Sequence, residues 1–272
     1  MTKTILVTGS TDGIGLETAR MLVSLGHNVL LHGRNRAKLE KLVEILATDK
    51  GPVESYVADF SRMADVEALA EAVTERHTRL DVLINNAGVY SASNPVTQDG
   101  LDVRFVVNAI APYLLTQRLM PLMGASGRVV NVSSAAQSPV EPNALTGQIK
   151  LTEDFSAYAQ SKLAITMWSR VLASKENSPI IIVVNPGSML GSKMVKQAFG
   201  VAGGDIRIGA EILTRAALAD EFSAASGQYF DNDSGQFASP HPDALNPQKT
   251  EEIVRIIETV LAAITQSDEK PG

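Results

Sequence analysis

The sequence predicts a single doubly wound α/β domain, with a parallel sheet of about seven strands flanked by helices on both faces. Short apolar segments of strand length recur along the 272 residues and alternate with longer segments of helical period. Most strand segments lack polar alternation, which is typical of parallel strands that helices cover on both faces. No linker, low-complexity block or internal repeat breaks the alternation, so we expect residues 1–272 to form one domain.

Seven segments are expected to be strands, because apolar and often β-branched residues dominate them. They are Lys3–Thr8, Asn28–His32, Val53–Val57, Asp81–Ile84, Arg128–Val132, Ile180–Val184 and a short seventh at Gln228–Phe230. Strands that alternate with helices form right-handed βαβ units, which bring the carboxyl ends of the strands to one edge of the sheet.

Seven further segments are expected to be helices, because their apolar residues recur at helical spacing. They are Gly13–Leu25, Arg36–Ala47, Met63–Arg76, Asp99–Met123, Asp154–Ser174, Ile206–Leu218 and Gln248–Ile264. Gly26 follows the first of them and favours a helix end there. In the second, Leu39, Leu42 and Leu46 share one face.

Two segments fit the alternation poorly, Ala135–Leu151 and Ser188–Gly204. Each follows a predicted strand, so we expect both at the carboxyl edge of the sheet, as inserts on the substrate side. The second combines apolar residues with glycines, which suits a mobile apolar lid. Those residues are Met189, Met194, Val195, Phe199 and Val201, with Gly200, Gly203 and Gly204. An ordinary surface loop and helix would have the same composition, so both interpretations stay open.

Composition and charge exclude several classes of protein. Apolar residues make up 44% of the chain, which excludes disorder, and the absence of cysteine excludes disulfide scaffolds, thiolate nucleophiles and Cys-ligated metals. The net charge, 24 − 30 = −6, argues against nucleic acid or an anionic membrane as a partner. No apolar run approaches the roughly 20 residues of a bilayer-spanning helix, and no signal-type segment opens the chain. We therefore expect a soluble, cytoplasmic protein.

The titratable residues show no metal-ligand spacing. The four histidines are scattered along the chain. Asp231-Asn232-Asp233 superficially resembles the start of a calcium loop, but the glycine and the distal glutamate of that motif are misplaced. We expect this tripeptide to form a turn, and we expect no metal site.

A glycine-rich segment follows the first predicted strand and opens the first helix, Thr8-Gly9-Ser10-Thr11-Asp12-Gly13-Ile14-Gly15. Small residues there let the backbone approach a pyrophosphate, and the helix N-terminus supplies free N–H groups and a positive dipole. The residues expected to contact a dinucleotide are Gly9, Ser10, Asp12, Gly13, Ile14 and Gly15. The spacing differs from the usual GxGxxG fingerprint, and a plain strand-to-helix turn would also contain glycines.

Further motifs occur in order along the chain, each at an expected strand end or helix. They are Asn85-Asn86-Ala87-Gly88, Asn108, Val130-Asn131-Val132-Ser133-Ser134, Tyr158-Ala159-Gln160-Ser161-Lys162 and Asn185-Pro186-Gly187. With the glycine loop, this set resembles the short-chain dehydrogenase/reductase family over about residues 3–235. The long spacing between Ser134 and Tyr158 is similar to the retinol-dehydrogenase-like branch. The resemblance implies a Rossmann-type fold and an oxidoreductase that transfers a hydride between a nicotinamide cofactor and a carbonyl or alcohol.

The resemblance implies catalytic roles for Asn108, Ser134, Tyr158 and Lys162. Tyr158 and Lys162 lie one turn apart on one face of a helix. A free phenol has a pKa of about 10, and a neighbouring ammonium group lowers it, which would make Tyr158 a general acid and base. Ser134 would polarise the substrate oxygen, Lys162 would also bind the cofactor ribose, and the backbone of Asn108 would hold a water. Ser133 stays a rival to Ser134, because serines at strand ends often cap the next segment.

The identity of the cofactor depends on the end of the second strand, His32-Gly33-Arg34-Asn35. Gly33 stands where NAD-dependent members of the family carry an aspartate, and Arg34 could pair with a 2′-phosphate. The sequence thus favours NADP(H) and leaves NAD(H) open, since a solvated arginine at a helix start is the alternative. The other expected cofactor contacts are Arg34, Asn35, Asp59, Phe60, Asn86, Ala87, Gly88, Pro186, Gly187 and Ser192, together with Tyr158 and Lys162.

Two other functions stay open. A cofactor-binding regulatory protein would keep the fold without turnover, although such proteins usually lose one of Ser134, Tyr158 and Lys162, which this chain retains. An epimerase or dehydratase of the extended branch would differ in glycine spacing and length. We expect a small, apolar carbonyl or alcohol substrate. The resemblance also allows a homo-oligomer, because the helix that bears Tyr158 often lines a dimer contact in the family.

Overall fold

Eight strands form one sheet in residues 1–47 and 51–268, the part of the chain that the computed structural model describes. They are β1 (Thr4–Val7), β2 (Asn28–Gly33), β3 (Val53–Val57), β4 (Val82–Asn85), β5 (Arg128–Val132), β6 (Ile180–Asn185), β7 (Tyr229–Asp231) and β8 (Gln236–Ala238). Their order across the sheet is β3-β2-β1-β4-β5-β6-β7-β8. This confirms the doubly wound arrangement, because the chain builds outward from β1 in one direction and from β4 in the other.

Helices cover both faces of this sheet. They are α1 (Gly13–Ser24), α2 (Arg36–Leu46), α3 (Met63–Arg76), α4 (Val103–Phe105), α5 (Ala111–Met123), α6 (Pro142–Leu145), α7 (Asp154–Ala173), α8 (Lys193–Phe199), α9 (Ile206–Leu218) and α10 (Pro247–Asp268). Helices α1, α2 and α9 pack into one apolar cluster with Ile5 and Ile182. Helices α3, α5, α7 and α10 pack into another with Leu6 and Ile181. Successive residues of one strand enter different clusters, which explains why the strands lack polar alternation.

The structure adds an eighth strand and corrects one helix. β8 pairs antiparallel with β7, whereas the other neighbours are parallel, and its exposed residues lack the apolar signal of a buried strand. The expected helix Asp99–Met123 is wrong at its start, because Gly100 has φ +77° and helical structure begins at α4. Between α4 and α5, Val106–Ile110 forms a π-helical turn. The other predicted elements differ from the observed ones by a few residues at their ends.

The carboxyl edge of the sheet carries a cleft of about 700 Å³. The cleft lies where β1 and β4 send the chain to opposite sides of the sheet, the position at which doubly wound folds bind ligands. Segment 135–151 follows β5 and contains α6, and segment 188–204 follows β6 and contains α8. Over the described ranges, no helix is both long enough and apolar enough to cross a membrane.

Candidate active site

The glycine loop between β1 and α1 forms one wall of the cleft. Gly9 has φ +65° and Gly13 has φ +56°, in the left-handed region that favours glycine. A Cβ atom at Gly9 would lie 2.8 Å from the Cα of Ala87, and one at Gly15 would lie 2.4 Å from the carbonyl oxygen of Gly9. No side chain fits at either position. The loop therefore offers bare backbone beside the N-terminus of α1, which is a cradle that fits a pyrophosphate.

The segment after β4 is hydrogen-bonded to the glycine loop. The Thr8 hydroxyl oxygen accepts from the backbone N–H groups of Asn86 and Ala87, both at 3.0 Å. The side-chain amide of Asn86 donates to the carbonyl oxygens of Thr8 at 2.9 Å and Gly9 at 3.2 Å. The two predicted motifs therefore form one unit, and Gly88 continues it along the cleft.

His32 joins the glycine loop to the end of β3, a contact that the sequence did not reveal. Its Nδ1 accepts from the backbone N–H of Gly9 at 3.1 Å, and its Nε2 lies 3.1 Å from the carbonyl oxygen of Ala58. Because Nδ1 accepts, Nε2 carries the proton and donates to Ala58. Burial lowers the pKa of His32 to about 4, so the ring is neutral near pH 7. The ring also stacks on Phe60, with the centroids 4.3 Å apart.

Two cations border the cleft next to the glycine loop. Arg34 is exposed, and the ammonium nitrogen of Lys38 lies 3.9 Å from a carboxylate oxygen of Asp12. A Cβ atom at Gly33 would lie 2.5 Å from the methyl carbon of Thr11, so a larger residue there would require the Thr11 side chain to shift. The sequence analysis missed both Thr11 and Lys38. The cations that follow Arg34 in the first turn of the next helix were the available signal, but the sequence does not distinguish Lys38 from Arg36, which does not line the cleft.

Two predicted cofactor contacts do not line the cleft. The Ser10 hydroxyl donates to the backbone carbonyl of His32 at 3.3 Å and accepts from its N–H at 2.9 Å. The Asn35 side chain accepts from the backbone N–H of Lys38 at 2.9 Å and caps α2. The predicted contacts that do line the cleft are Gly9, Asp12, Gly13, Ile14, Gly15, Arg34, Asp59, Phe60, Asn86, Ala87, Gly88, Tyr158, Lys162, Pro186, Gly187 and Ser192.

Ser134 and Tyr158 meet where β5 ends. Both residues line the cleft, and the Ser134 hydroxyl is near enough to the phenol to lower the pKa of Tyr158. The Ser133 hydroxyl is bound elsewhere, because it donates to the carbonyl oxygen of Lys162 at 2.9 Å and lies 2.9 Å from the Thr166 hydroxyl. Of the two serines, Ser134 therefore faces Tyr158, and Ser133 fastens β5 to α7.

Lys162 lies beneath the Tyr158 ring, with its ammonium nitrogen 5.6 Å from the ring centroid. This nitrogen donates to the carbonyl oxygen of Val132 at 2.8 Å. Only 4% of the Lys162 side chain is exposed, and burial lowers its pKa to about 8. The i, i+4 spacing thus places the two side chains together as the sequence predicts.

The pKa of Tyr158 is raised, which corrects the expectation that Lys162 lowers it in the protein alone. Burial raises this pKa most, the hydrogen bond with Ser134 lowers it, and Tyr90 raises it further. The Lys162 ammonium points at the Val132 carbonyl instead of the phenol oxygen, so its favourable effect on a phenolate does not offset desolvation.

Asn108 lies in the π-helical turn, where its side chain is 1% exposed and does not line the cleft. Its Oδ1 accepts from the backbone N–H of Val89 at 2.8 Å, and its Nδ2 donates to the Val89 carbonyl and to the Ser161 hydroxyl, both at 2.9 Å. The side chain therefore ties the segment after β4 to α7, directly beside Lys162.

The segment after β6 closes over the glycine loop. Pro186, Gly187 and Ser192 all line the cleft. The Ser192 hydroxyl accepts from the backbone N–H of Val195 at 3.2 Å and caps α8. A Cβ atom at Gly13 would lie 3.8 Å from the Cβ of Ser192, so the two segments face each other across the cleft.

Large apolar side chains, here called the apolar wall, line part of the cleft. The Tyr90 ring is tilted against the Tyr158 ring, with the centroids 5.2 Å apart. Phe155 is 55% exposed and Met189 is 44% exposed, and both line the cleft with Met194. Large apolar side chains exposed in a cleft are typical of a binding surface. The sequence analysis missed Tyr90 and Phe155, because nothing local separates them from core residues.

The profile of the short chain dehydrogenase family matches residues 3–200. The chain belongs to this family. It is therefore an oxidoreductase of the dehydrogenase and reductase type. Human retinol dehydrogenase 13 is 30% identical over 275 residues, which cover 93% of this chain and 81% of that protein. Human retinol dehydrogenase 12 is 31% identical over 255 residues, which cover 88% and 80%. The similarity confirms the retinol-dehydrogenase-like branch.

Solved structures of other proteins share this fold. An uncharacterized protein from Mycobacterium paratuberculosis superposes with a TM-score of 0.79 at 25% identity, covering 95% of this chain and 92% of that one. Pseudomonas aeruginosa RhlG, in an active-site complex with NADP, has a TM-score of 0.69 at 25% identity, with 86% and 95% covered. The landomycin C-6 ketoreductase LanV, with bound NADP and rabelomycin, has a TM-score of 0.66 at 29% identity, with 86% and 95% covered.

Proposed function

We propose that this chain is an NADP(H)-dependent carbonyl reductase or alcohol dehydrogenase. The observation that carries the proposal is the convergence of Ser134, Tyr158 and Lys162 beside a glycine cradle that fits a pyrophosphate. The cofactor, when bound, supplies or accepts the hydride. The glycine loop, the Asn86–Gly88 segment and Lys162 would hold it. The relatives named retinol dehydrogenases and ketoreductases, and the NADP complexes among similar structures, support this function.

The protein's own residues would move the proton. The Ser134 hydroxyl would donate to the substrate oxygen and hold it beside the Tyr158 phenol. Since burial raises the pKa of Tyr158, the phenol is protonated near pH 7 and serves as the acid that protonates this oxygen in reduction. In oxidation it takes the proton back. Lys162, with a pKa of about 8, is mostly charged near pH 7 and stabilises the phenolate when it forms.

Arg34 and Lys38 support the preference for NADP(H). Both border the cleft next to the glycine loop, where a 2′-phosphate would need cations. Thr11 fills the space that an acidic side chain at Gly33 would need to bind a ribose 2′-hydroxyl. Lys38 also offsets the carboxylate of Asp12, which would otherwise repel a phosphate.

The apolar wall supports a small, apolar carbonyl or alcohol substrate. Tyr90, Phe155, Met189 and Met194 line the same cleft as Tyr158, and the Tyr90 ring contacts the Tyr158 ring. We assign segment 188–204, which carries the two methionines, as a lid over this substrate, and segment 135–151 as the insert behind it. Both would belong to one domain that spans residues 1–272.

The proposed role of Tyr158 as the general acid is tested with the Tyr158→Phe variant, assayed with a panel of aldehydes, ketones and alcohols. We expect kcat to fall about 10²–10⁴-fold while the Kd for NADPH stays within a factor of two or so. Tyr113→Phe is the matched control, because it removes a phenol hydroxyl that contacts Glu258 away from the cleft. Unchanged turnover by Tyr158→Phe would show that another group supplies the proton.

The test of cofactor choice is the Arg34→Ala and Lys38→Ala pair, alone and combined. We expect each to raise the KM for NADPH about tenfold and to leave the KM for NADH unchanged, since a lost charge-assisted hydrogen bond to a phosphate has about that effect. Arg36→Ala is the control, because Arg36 is exposed on the same helix but does not line the cleft. Equal effects on NADPH and NADH would contradict the 2′-phosphate assignment.

A further inference from the structure

The turn between β7 and β8 holds the segment that follows β6. The Asn185 side-chain amide donates to carboxylate oxygens of Asp231 at 2.7 Å and Asp233 at 2.9 Å. Ser188 donates to Asp233 twice, through its backbone N–H at 2.8 Å and its hydroxyl at 2.5 Å. The tripeptide is thus a turn, as the sequence predicts, and its two carboxylates are acceptors for donors of another segment.

The middle residue of the turn adds a third link. The Asn232 side-chain amide donates to the carbonyl oxygen of Pro186 at 2.9 Å, and its backbone N–H donates to the Asn185 carbonyl at 3.1 Å. The Asn185 side-chain oxygen in turn lies 3.3 Å from the backbone nitrogen of Gly187 and accepts from it. Every residue of segment 185–188 therefore takes part in this network.

The backbone adopts positive φ angles at Gly187 and Met189, which the surrounding contacts must stabilise. Ser188 lies between Gly187 at φ +121° and Met189 at φ +53°, and a non-glycine residue in the left-handed region persists only where its surroundings fix it. Beyond it, Leu190 packs beside Ile14 of the glycine loop's helix, and both line the cleft. Ser188 is thus the hydrogen-bonded residue directly before the part of the wall that contacts the glycine loop's helix.

We propose that Asp233 is a positioning residue for the cofactor cleft, which acts by fixing Ser188 and thereby the wall formed by residues 186–190. The inference rests on the proposed function, since the wall would border the bound dinucleotide. Three donors converge on Asp233, and only an ionised carboxylate accepts from all of them without offering a donor in return. Desolvation raises the pKa of Asp233, but the hydrogen bonds from Ser188 and Asn185 outweigh it, so the pKa lies below its usual value and the group is ionised at neutral pH.

The test compares Asp233→Asn with Asp243→Asn. Asparagine keeps the shape of Asp233 but turns an N–H donor toward its partners, whereas Asp243 pairs with Lys249 outside this network, so its variant controls for the lost charge. We expect Asp233→Asn to raise the Kd for NADPH about tenfold and to speed amide exchange at residues 188–192, with a smaller loss in kcat. We expect Asp243→Asn to match the wild type in all three.

Ser188→Ala approaches the same contact from the other side and keeps Asp233 intact. It removes one of the three donors, so we expect a rise of a few fold in the Kd and faster exchange at residues 188–192. In the double variant, we expect no further effect beyond Asp233→Asn, because the two changes break one interaction.

Unchanged Kd and exchange in a folded Asp233→Asn protein, or an equal change in Asp243→Asn, would overturn the inference. If Asp233→Asn does not fold, Ser188→Ala decides, and unchanged exchange there overturns the inference as well. A wild-type protein that binds neither NADPH nor NADH would instead refute the proposed function, so the two failures are distinguishable.

Discussion

The two segments that leave the carboxyl edge of the sheet, 135–151 and 188–204, are held in different ways. Segment 135–151 enters the apolar core, since Ala144 and Leu145 of α6 are 1% and 0% exposed. It is also bonded to α7, because the Glu141 N–H donates to the Gln160 side chain at 3.0 Å. In segment 188–204, Leu190 is the one buried side chain among those described, and the side chain of Phe199 lies outside the described part.

Segment 188–204 is instead closed by backbone hydrogen bonds between its two ends. We call this closure, formed by Met189, Gly191 and Gly204, the neck of the segment. The Gly191 N–H donates to the Gly204 carbonyl at 2.7 Å, and the Gly204 N–H donates to the Met189 carbonyl at 2.8 Å. Residues above the neck, including α8, make few buried contacts. Similar positions after neighbouring strands therefore do not imply similar mobility. Contacts with the core differ between the two segments, and this is the basis on which we propose 188–204, not 135–151, as the lid.

The largest effect on stability is expected in segment 135–151, which we call the anchored segment because α6 packs into the core. Leu145→Ala should lower the free energy of unfolding by about 2–5 kcal/mol, because it leaves a cavity in the core. Leu190→Ala should change global stability less and raise the KM for NADPH, because Leu190 lies outside both core clusters and its loss loosens the cleft wall beside the glycine loop. Urea unfolding and steady-state kinetics of both variants check this. A similar loss of stability from both would erase the distinction between the segments.

A second effect concerns Lys162, a buried residue of α7 whose ammonium group donates to the Val132 carbonyl at the end of β5. Burial lowers its pKa to about 8 in the folded protein, from 10.5 in a free lysine. The unfolded chain therefore binds more protons between pH 8 and 10.5, so the free energy of unfolding should rise with pH across this window, by up to about 3 kcal/mol. Below pH 8 the full penalty of burying the charge is present.

The measurement for Lys162 is urea unfolding without cofactor at pH 7, 8, 9 and 10. Lys162→Met keeps the volume and removes the titrating group, so the wild-type curve should rise relative to the variant's only above pH 8. Parallel curves would mean that the ammonium group is not desolvated in the folded protein.

The sequence predicts the parts of this site that local rules determine. The glycine loop follows from the steric exclusion of side chains at Gly9 and Gly15, and the pairing of Tyr158 with Lys162 follows from helical spacing. The α/β class follows from the alternation of strand and helix segments along the chain. These features depend on residues that are close together in the chain.

The parts that the sequence analysis missed depend on residues that are far apart. His32 binds the backbone of Gly9, and Asp233 binds Ser188, yet neither has a local pattern that names its partner. The pKa of Tyr158 was expected to be lowered and is raised instead, because helical spacing predicts that Lys162 lies near the phenol but does not predict how deeply the phenol is buried.

A third prediction concerns the neck of segment 188–204. A Cβ atom at Gly203 would lie 2.6 Å from the Cα of Gly191, whereas nothing lies within 4 Å of one at Gly200. The two glycines have φ +73° and +68°, so alanine suffers the same backbone strain at both. Gly203→Ala should therefore speed amide exchange at Gly191 and Gly204 by about 10–100-fold more than Gly200→Ala, since overpacking costs about 1–3 kcal/mol. Equal exchange in the two variants would mean that the neck is not closely packed.

The smallest effect is expected at Ser134, whose carbonyl oxygen accepts hydrogen bonds from two different parts of the chain. The Tyr229 hydroxyl donates to the Ser134 carbonyl at 3.2 Å from β7, and the Gln137 side chain donates to it at 3.0 Å from the anchored segment. Tyr229→Phe leaves one donor in place, so it should lower stability by about 1 kcal/mol or less and kcat only a few fold. Gln137→Leu should cost slightly more stability, because the Gln137 side-chain oxygen also accepts from the backbone N–H of His241 at 3.2 Å.

The double variant Tyr229→Phe/Gln137→Leu should cost more than the sum of the single changes, because it leaves a partly buried carbonyl without a donor from either residue. A double-mutant cycle on both stability and kcat measures this coupling. Strict additivity would mean that the two side chains act on Ser134 independently. Coupling in kcat with an unchanged KM for NADPH would place their joint effect on the serine hydroxyl that faces Tyr158, since the carbonyl and the hydroxyl belong to one residue and move together.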